Sequence, residues 1–202
     1  MCPTTELDAV NAMLASIGES LIDNFDNQFA DAAVARDLLT QELRAVQNAQ
    51  WTFNTELNWT LNPSADGTIR LPQNVVRVLN GPDNSIVQRG NRMYDRYLHT
   101  YTFTAPLYVD LVVVLQFDEC PEAVKRYVFV RAARKFQDRL ESDPTLHQIQ
   151  SRDEVAAWAA LQNFEAETAD WNMLDRNTLN QRTKLYRPHG AYLSPKIANN
   201  RD

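Results

Sequence analysis

The spacing of apolar residues changes twice along this chain of 202 residues. Up to about residue 48 they recur at three- and four-residue steps, which is the period of an amphipathic helix. Between residues 51 and 117, large and polar residues alternate with the period of a β-strand. From residue 122 the helical spacing returns. This order predicts an α+β protein in which a β unit is inserted between two helical halves.

Two helices are predicted in the N-terminal half. The first begins at Thr5, whose side chain can cap the helix together with Asp8. It ends near Gly18, because glycine tolerates the left-handed backbone of a helix terminus. The second runs from about Ala30 to Asn48. Because the link between them is short, the two helices are expected to pack as antiparallel neighbours.

The inserted unit is predicted to consist of short antiparallel strands. The segment 107–117 has the strongest pattern, because its odd-numbered residues are all apolar and share one face. The dipeptide Asp66-Gly67 is typical of a hairpin turn. Glycine, proline and asparagine separate further strand-like pieces at 75–80, 85–90 and 92–96.

Two further helices are predicted in the C-terminal half. One begins after Pro121 and runs to about Glu141, and the other begins at Asp143-Pro144 and runs to about Asp170. Four helices in two antiparallel pairs predict an antiparallel four-helix bundle built from both halves of the chain. The expected domains are a helical bundle of residues 1–50 and 118–173, a small antiparallel β unit of residues 51–117, and an extended C-terminal tail of residues 174–202.

Charge is distributed unevenly along the chain. The formal net charge is −6, yet residues 174–202 contain six basic and two acidic residues. The predicted tail therefore carries +4, and residues 1–173 carry −10. An acidic body repels nucleic acid at long range, whereas a basic tail can bind phosphate or an acidic protein surface.

The helix that follows Pro121 is unusually basic, with six lysines and arginines within residues 125–139. Arg131, Lys135 and Arg139 follow one another at four-residue steps, a spacing at which like charges repel by about a few tenths of a kcal/mol per pair. Arg134 and Asp138 have the same spacing with opposite charges and are expected to pair, whereas the row of three needs a partner outside the helix. Three possibilities stay open for the surroundings of this row: solvent or a carboxylate of the same chain, a neighbouring subunit, or nucleic acid. A helical wheel places the core stripe elsewhere, at Phe129, Ala132, Ala133, Phe136 and Leu140.

The sequence lacks the motifs of the common enzyme classes. It has no nucleophile elbow, phosphate-binding loop, dinucleotide fingerprint or zinc-protease motif. His99, His147 and His189 lie far apart, and Cys2 and Cys120 form no metal-binding pair. Reduced cysteines, no metal and no cofactor are therefore expected. No apolar run approaches the roughly 18 residues of a membrane span, so no membrane contact is expected.

A polysaccharide hydrolase stays open as an alternative function. It would use two carboxylates of the β unit at a set separation across a cleft. Aromatic residues of the same unit could stack on sugar rings, although alternating aromatic residues in a sheet more often form its core. The aromatic candidates are Trp51, Trp59, Tyr94, Tyr97 and Tyr101.

Several stretches occur together in an order that resembles a known family. They are NAMLASIGE (11–19), DAAVAR (31–36), WTFN (51–54), YDR (94–96), DECPEAVKRYVFVRAARKFQDR (118–139) and NMLD (172–175). The set spans roughly residues 5–175. It is similar to the tail tubular protein A family, the head-to-tail adaptors of short-tailed phages.

The resemblance implies a structural virion protein and not a catalyst. Members of that family form a ring of twelve between the portal protein and the nozzle made by tail tubular protein B, with tail fibres attached near the junction. Double-stranded DNA passes through the ring without sequence-specific binding. The resemblance also implies a location in the virion tail, and in the host cytoplasm during assembly.

Two sets of contact residues are expected on this basis. The row of Arg131, Lys135 and Arg139 is expected to meet carboxylates of the fourth helix of the same chain or of the adjacent subunit. The tail is expected to become ordered on the portal. Its expected portal contacts are Leu185, Tyr186, Arg187 and Tyr192.

Overall fold

A computed structural model describes residues 5–26, 29–79, 85–140 and 144–169. The helices are α1 (Glu6–Ser16), α2 (Ala30–Gln47), α3 (Glu122–Leu140) and α4 (Pro144–Thr168). The strands are β1 (Thr55–Leu61), β2 (Val75–Leu79), β3 (Ile86–Arg89), β4 (Arg92–Asp95) and β5 (Leu107–Val113). The chain divides into two compact units, residues 1–165 and 166–202, and all contacts below lie in the first. The predicted tail, 174–202, lies outside the described residues.

The N-terminus of α1 has the predicted reciprocal cap. Thr5 Oγ1 accepts a hydrogen bond from the Asp8 N–H at 3.1 Å, and the Asp8 carboxylate accepts one from the Thr5 N–H at 3.3 Å. The helix ends through Ile17 into Gly18, whose φ of 75° is a left-handed conformation that glycine adopts without strain. The predicted cap and stop of this helix are therefore confirmed.

Helices α1, α2 and α3 pack on one another around a helical core. Its fully buried side chains include Met13, Leu14, Leu38, Leu39 and Phe136. Burial of each such side chain stabilises the fold by about 1.5–3 kcal/mol. Within the described part of the chain, no helix is long and apolar enough to cross a membrane.

The buried stripe of α3 lies closer to its N-terminus than the wheel predicted. Ala132 and Phe136 are fully buried as expected, but Leu140 is 47% exposed. The stripe continues instead through Val124 and Val128. A wheel assigns residues to faces, but it cannot show where along the helix the core ends.

The predicted antiparallel four-helix bundle with a small β unit is wrong, although the mixed α+β composition holds. Among the described side chains of α4, only Ala157 and Leu161 are buried, while Ile149 and Val155 are 51% and 69% exposed. Three helices therefore enclose the helical core, and α4 packs against them along a narrow line. The sequence contains four helical segments, but the alanine-rich α4 lacks the broad apolar stripe that a bundle helix needs.

The strands form two sheets with a core of their own. One sheet has the order β1-β5-β2 with antiparallel pairing throughout, and β3 and β4 form a hairpin whose turn contains Gly90 at φ 62°. The predicted apolar face of β5 is confirmed, because its odd-numbered residues are buried. The sheet core comprises Leu61, Ile69, Leu71, Met93, Leu107, Val109, Leu111 and Val113.

The helical core and the sheet core meet just after β5. This strand ends at Val113, four residues before the predicted end. Leu115 packs against both cores, and Phe117 is buried in the helical core. The predicted division of the chain into residues 1–50 and 118–173, 51–117 and 174–202 stays a prediction.

Two buried side-chain amides link the cores at this junction. Gln47 Nε2 donates a hydrogen bond to the Leu115 carbonyl at 2.9 Å, and Gln47 Oε1 accepts one from the Leu115 N–H at 2.8 Å. Asn54 Nδ2 donates to the carbonyls of Gln47 and Val113 at 2.7 and 3.0 Å. Gln47 is fully buried. Its side-chain amide both donates to and accepts from the backbone of Leu115, as the backbone of a neighbouring β-strand would.

Cys120 is a free and buried cysteine in the described part of the chain, and Cys2 lies outside it. Burial raises the pKa of the Cys120 thiol to about 11. The thiol is therefore protonated and unreactive at neutral pH, since the thiolate is the nucleophile.

Replacing Gln47 by methionine is expected to destabilise the protein by about 1–3 kcal/mol, because the N–H and carbonyl of Leu115 lose their partner away from water. Gln41→Met is the matched control, since Gln41 is exposed on the same helix and should change stability by less than about 0.5 kcal/mol. Urea unfolding of both variants measures the difference. Equal midpoints would contradict the structural role of Gln47.

Candidate assembly site

Glu42 is a charged residue buried on the inner face of α2. Its side chain is 7% exposed, and two cations of α3 reach it. Lys135 Nζ donates a hydrogen bond to Glu42 Oε1 at 2.5 Å. Arg131 Nε lies 2.8 Å from Oε2, but its N–H is not aligned with that oxygen, so this contact is an ion pair without a hydrogen bond. One carboxylate thus faces two members of the basic row.

A second carboxylate, Glu154, joins α4 to the same row. Arg134 Nε donates to Glu154 Oε2 at 2.6 Å, and Arg131 Nε lies 3.9 Å from Glu154 Oε1. Arg134 also forms the ion pair predicted from four-residue spacing, with Asp138 at 3.2 Å. Asp138 in turn lies 2.8 Å from Nδ1 of His147. The network therefore connects three cations and three carboxylates on α2, α3 and α4.

Arg131 keeps its charge inside this network. Burial lowers the pKa of its guanidinium, but the hydrogen bond from Nη1 to the Tyr127 hydroxyl at 3.1 Å opposes that effect. The carboxylates of Glu42 and Glu154 also raise the pKa, and the net result lies above the ordinary value. Arg131 is therefore cationic at any physiological pH.

Aromatic and polar contacts hold α4 beside the other helices. The Trp158 ring lies 5.0 Å from that of Tyr127 and 5.7 Å from that of Trp51 between centroids. Further along α4, the Glu165 carboxylate accepts hydrogen bonds from the N–H and hydroxyl of Thr52 at 2.9 and 2.7 Å. These contacts explain how α4 stays attached with so few buried apolar residues.

Arg139, the third member of the predicted row, is exposed at the end of α3. No ion pair or hydrogen bond connects it to another residue that the structure describes. Its role as a subunit contact stays a prediction. The predicted portal contacts Leu185, Tyr186, Arg187 and Tyr192 lie outside the described residues.

The carboxylates expected to meet the row, on the fourth helix or a neighbouring subunit, did not include Glu42. The signal was present, because Glu42 falls four residues after Leu38 and four before Val46 on the apolar face of α2. A glutamate on such a face needs a cationic partner, since an unpaired charge is costly to bury. The basic row on α3 supplies that cation.

Three carboxylates of the β region stabilise turns or an irregular strand. Asp66 accepts hydrogen bonds from the N–H and hydroxyl of Thr68, which lower its pKa. Asp95 accepts hydrogen bonds from the N–H groups of Tyr97 and Leu98. Asp110 accepts a hydrogen bond of 2.8 Å from the Asn58 N–H, where the pairing of β1 with β5 is irregular. These local contacts do not require a substrate.

The aromatic residues proposed to bind sugar have different surroundings. Tyr94 and Tyr101 pack against each other at 4.7 Å, and arginines lie over both rings. Trp51 is buried, whereas Trp59 and Tyr97 are 45% and 82% exposed. The hydrolase alternative stays a prediction.

The described histidines are distributed among separate environments. His99 Nδ1 lies 3.5 Å from the Tyr94 hydroxyl, and His147 Nδ1 lies 2.8 Å from the Asp138 carboxylate. His189 lies outside the described residues. Within the ranges that the structure describes, no group of three or more histidine, cysteine, aspartate or glutamate residues is arranged to hold a metal ion.

Replacing Glu42 by glutamine is expected to destabilise the protein by about 1–3 kcal/mol, because Arg131 and Lys135 lose the charge between them. Glu6→Gln is the matched control. Glu6 forms an exposed ion pair with Arg36 at 2.8 Å, so its loss should cost about 1 kcal/mol or less. Chemical unfolding of the two variants tests this, and a larger loss for Glu6→Gln would contradict it.

Comparison with known proteins places these features in a family. The family model for tail tubular protein matches residues 7–171 of the chain. A curated relative, tail tubular protein A of Klebsiella phage KP34, is 30% identical over 124 residues. That alignment covers 61% of this chain and 66% of the relative, just under two thirds of the latter's length. The matched region includes all of α1 but its first residue and extends through α4, so the chain belongs to the tail tubular protein family and is a structural protein of a phage tail.

Proposed function

We propose that this chain is the adaptor that joins the phage portal to the tail nozzle, and that its copies form a ring around the path of DNA ejection. The observation that carries the proposal is the family match over residues 7–171, together with the similarity to a protein named tail tubular protein A. The ring contains twelve copies in this proposal. Assembly takes place in the host cytoplasm, before the finished tail becomes part of the virion.

The proposed partners follow from that position between head and tail. The portal protein contacts one side of the ring, tail tubular protein B contacts the other, and tail fibres attach near the junction. A body with two linked cores supports such a role, because the surface around each core is then available to a different neighbour. Closed rings need two distinct contact surfaces on every subunit.

Double-stranded DNA is proposed to pass through the bore without sequence-specific binding. The net charge of −10 on residues 1–173 supports this idea. Each phosphate contact made by lysine or arginine would add salt-dependent affinity and retain the DNA. An acidic body instead lets the duplex slide.

The basic row is proposed to have two roles. Arg131 and Lys135 hold α3 to the buried Glu42 and so maintain the helical surface. Arg139 is exposed four residues further on, where a carboxylate of the adjacent subunit can reach it. In this proposal, Arg131 and Lys135 form contacts within the chain, and Arg139 forms a contact with the adjacent subunit.

Reversing the exposed charge with Arg139→Glu is expected to weaken ring formation about tenfold or more at low salt, while thermal stability stays unchanged. Arg126→Glu is the matched control, because Arg126 is also exposed on α3. Light scattering of assembled rings at two salt concentrations measures the effect, which should shrink as salt screens the contact. Equal assembly of both variants would exclude Arg139 as a subunit contact.

The tail is proposed to attach the ring to the portal through Leu185, Tyr186, Arg187 and Tyr192. Deleting residues 178–202 is expected to abolish co-purification with the portal protein. The melting temperature should stay within a few degrees of wild type, because the helical and sheet cores are retained. A truncated chain that still binds portal would disprove this attachment.

Native mass spectrometry of the full chain, co-expressed with portal protein, tests the function as a whole. We expect a complex that contains one portal ring and about twelve copies of this chain. A chain that never associates with the portal would contradict the adaptor proposal.

A further inference from the structure

The loop after β4 presents two large apolar side chains to solvent. Tyr97 is 82% exposed and Leu98 is 67% exposed. Both backbone N–H groups donate to Asp95 Oδ1, at 2.7 and 3.0 Å. The backbones of Asp95 and Thr100 exchange hydrogen bonds at 2.9 and 3.3 Å, which closes the base of the loop.

The backbone of this loop is also constrained at His99, whose φ is 55°. A residue other than glycine is strained in that left-handed region, and such strain persists where the surrounding contacts impose it. The loop therefore presents Tyr97 and Leu98 in a fixed shape. A surface that is already shaped for its partner loses less conformational entropy on binding.

An open cleft of about 370 Å³ lies against α2 in the helical part of the chain. Ile22 and Ala32 are the buried residues that line it, and Phe25 adds a half-buried ring. Arg36 and Asp37 are exposed on the lining, and the Arg36 guanidinium lies 4.1 Å from the centroid of the Phe25 ring. Pockets of roughly 300–1,000 Å³ accept small organic ligands, so this cleft can take two side chains. The same part of the chain exposes further apolar residues, Leu21, Phe29 and Val34.

The chain segments that carry the loop and the cleft have opposite net charges, while Arg36 and Asp37 on the cleft lining balance each other. Residues 85–101 contain three arginines and one aspartate, a net charge of +2. The stretches 19–26 and 29–40 contain five carboxylates and one arginine, a net charge of −4. Complementary charge speeds encounter and disfavours wrong partners.

We infer that the Tyr97–Leu98 loop of one copy docks into the Ile22–Phe25–Ala32 cleft of the next copy. The inference rests on the proposed ring and names the surfaces that form it. A projecting apolar loop and a cleft lined partly by apolar residues on the same chain make a head-to-tail contact. Such contacts close into rings when the rotation between copies allows it. Two copies of the loop would instead repel each other through their arginines.

The double variant Tyr97→Ser with Leu98→Ser tests the docking. It should fold like wild type, because both side chains are in solvent, but should need at least tenfold more protein to form rings with the portal. Leu57→Ser is the matched control, since Leu57 is 74% exposed on β1, outside both surfaces. Rings of the double variant at the wild-type concentration would overturn the inference.

Cross-linking provides a second measurement that does not depend on loss of assembly. In a Cys2→Ser chain, Leu98→Cys and Ala33→Cys place one thiol on the loop and one on the lining of the cleft. A short bis-maleimide should link assembled copies into a covalent ladder, and each single variant alone should give none. Rings without a ladder would overturn the docking inference alone. A wild-type chain that forms no ring would overturn both the inference and the adaptor proposal.

Discussion

The paired hydrogen bonds between Gln47 and the backbone of Leu115 hold the two halves of this protein together. They occur where α2 ends and where the chain leaves β5, so one side-chain amide sets the position of the sheet core against the helical core. Asn54, seven residues after Gln47, adds hydrogen bonds to the carbonyls of Gln47 and Val113 at the same junction. A buried amide without hydrogen-bond partners costs folding free energy. Arrangements of the two cores that break these hydrogen bonds are therefore less stable than the one observed.

A different kind of contact holds α4. The three inner helices share a continuous apolar core, but α4 adds only Ala157 and Leu161 to it. Charge pairs through Glu154 and ring contacts through Trp158 supply the rest of its attachment. Segments with few buried apolar contacts open more easily than core helices. In an assembling protein, such a helix can adjust to a neighbouring subunit while the core stays intact.

The sequence predicted the parts of the structure that depend on local spacing. The cap formed by Thr5 and Asp8, the alternating face of β5 and the pair of Arg134 with Asp138 all involve residues within a few positions of each other. It did not predict contacts between distant segments. Glu42 lies 93 residues before Lys135, and periodicity within α3 cannot identify that partner. The prediction of a four-helix bundle was wrong for the same reason. Four helical segments in a sequence do not show how much of each helix is buried against the others.

Cryo-electron microscopy of the intact phage tail tests most directly the proposal that copies of this chain form the ring at the junction of head and tail. We expect a closed ring of this fold between portal and nozzle, with the Tyr97–Leu98 loop of each copy seated in the cleft of its neighbour. A ring at that position built from another protein, with this chain elsewhere in the particle or missing from it, would contradict the proposed adaptor role.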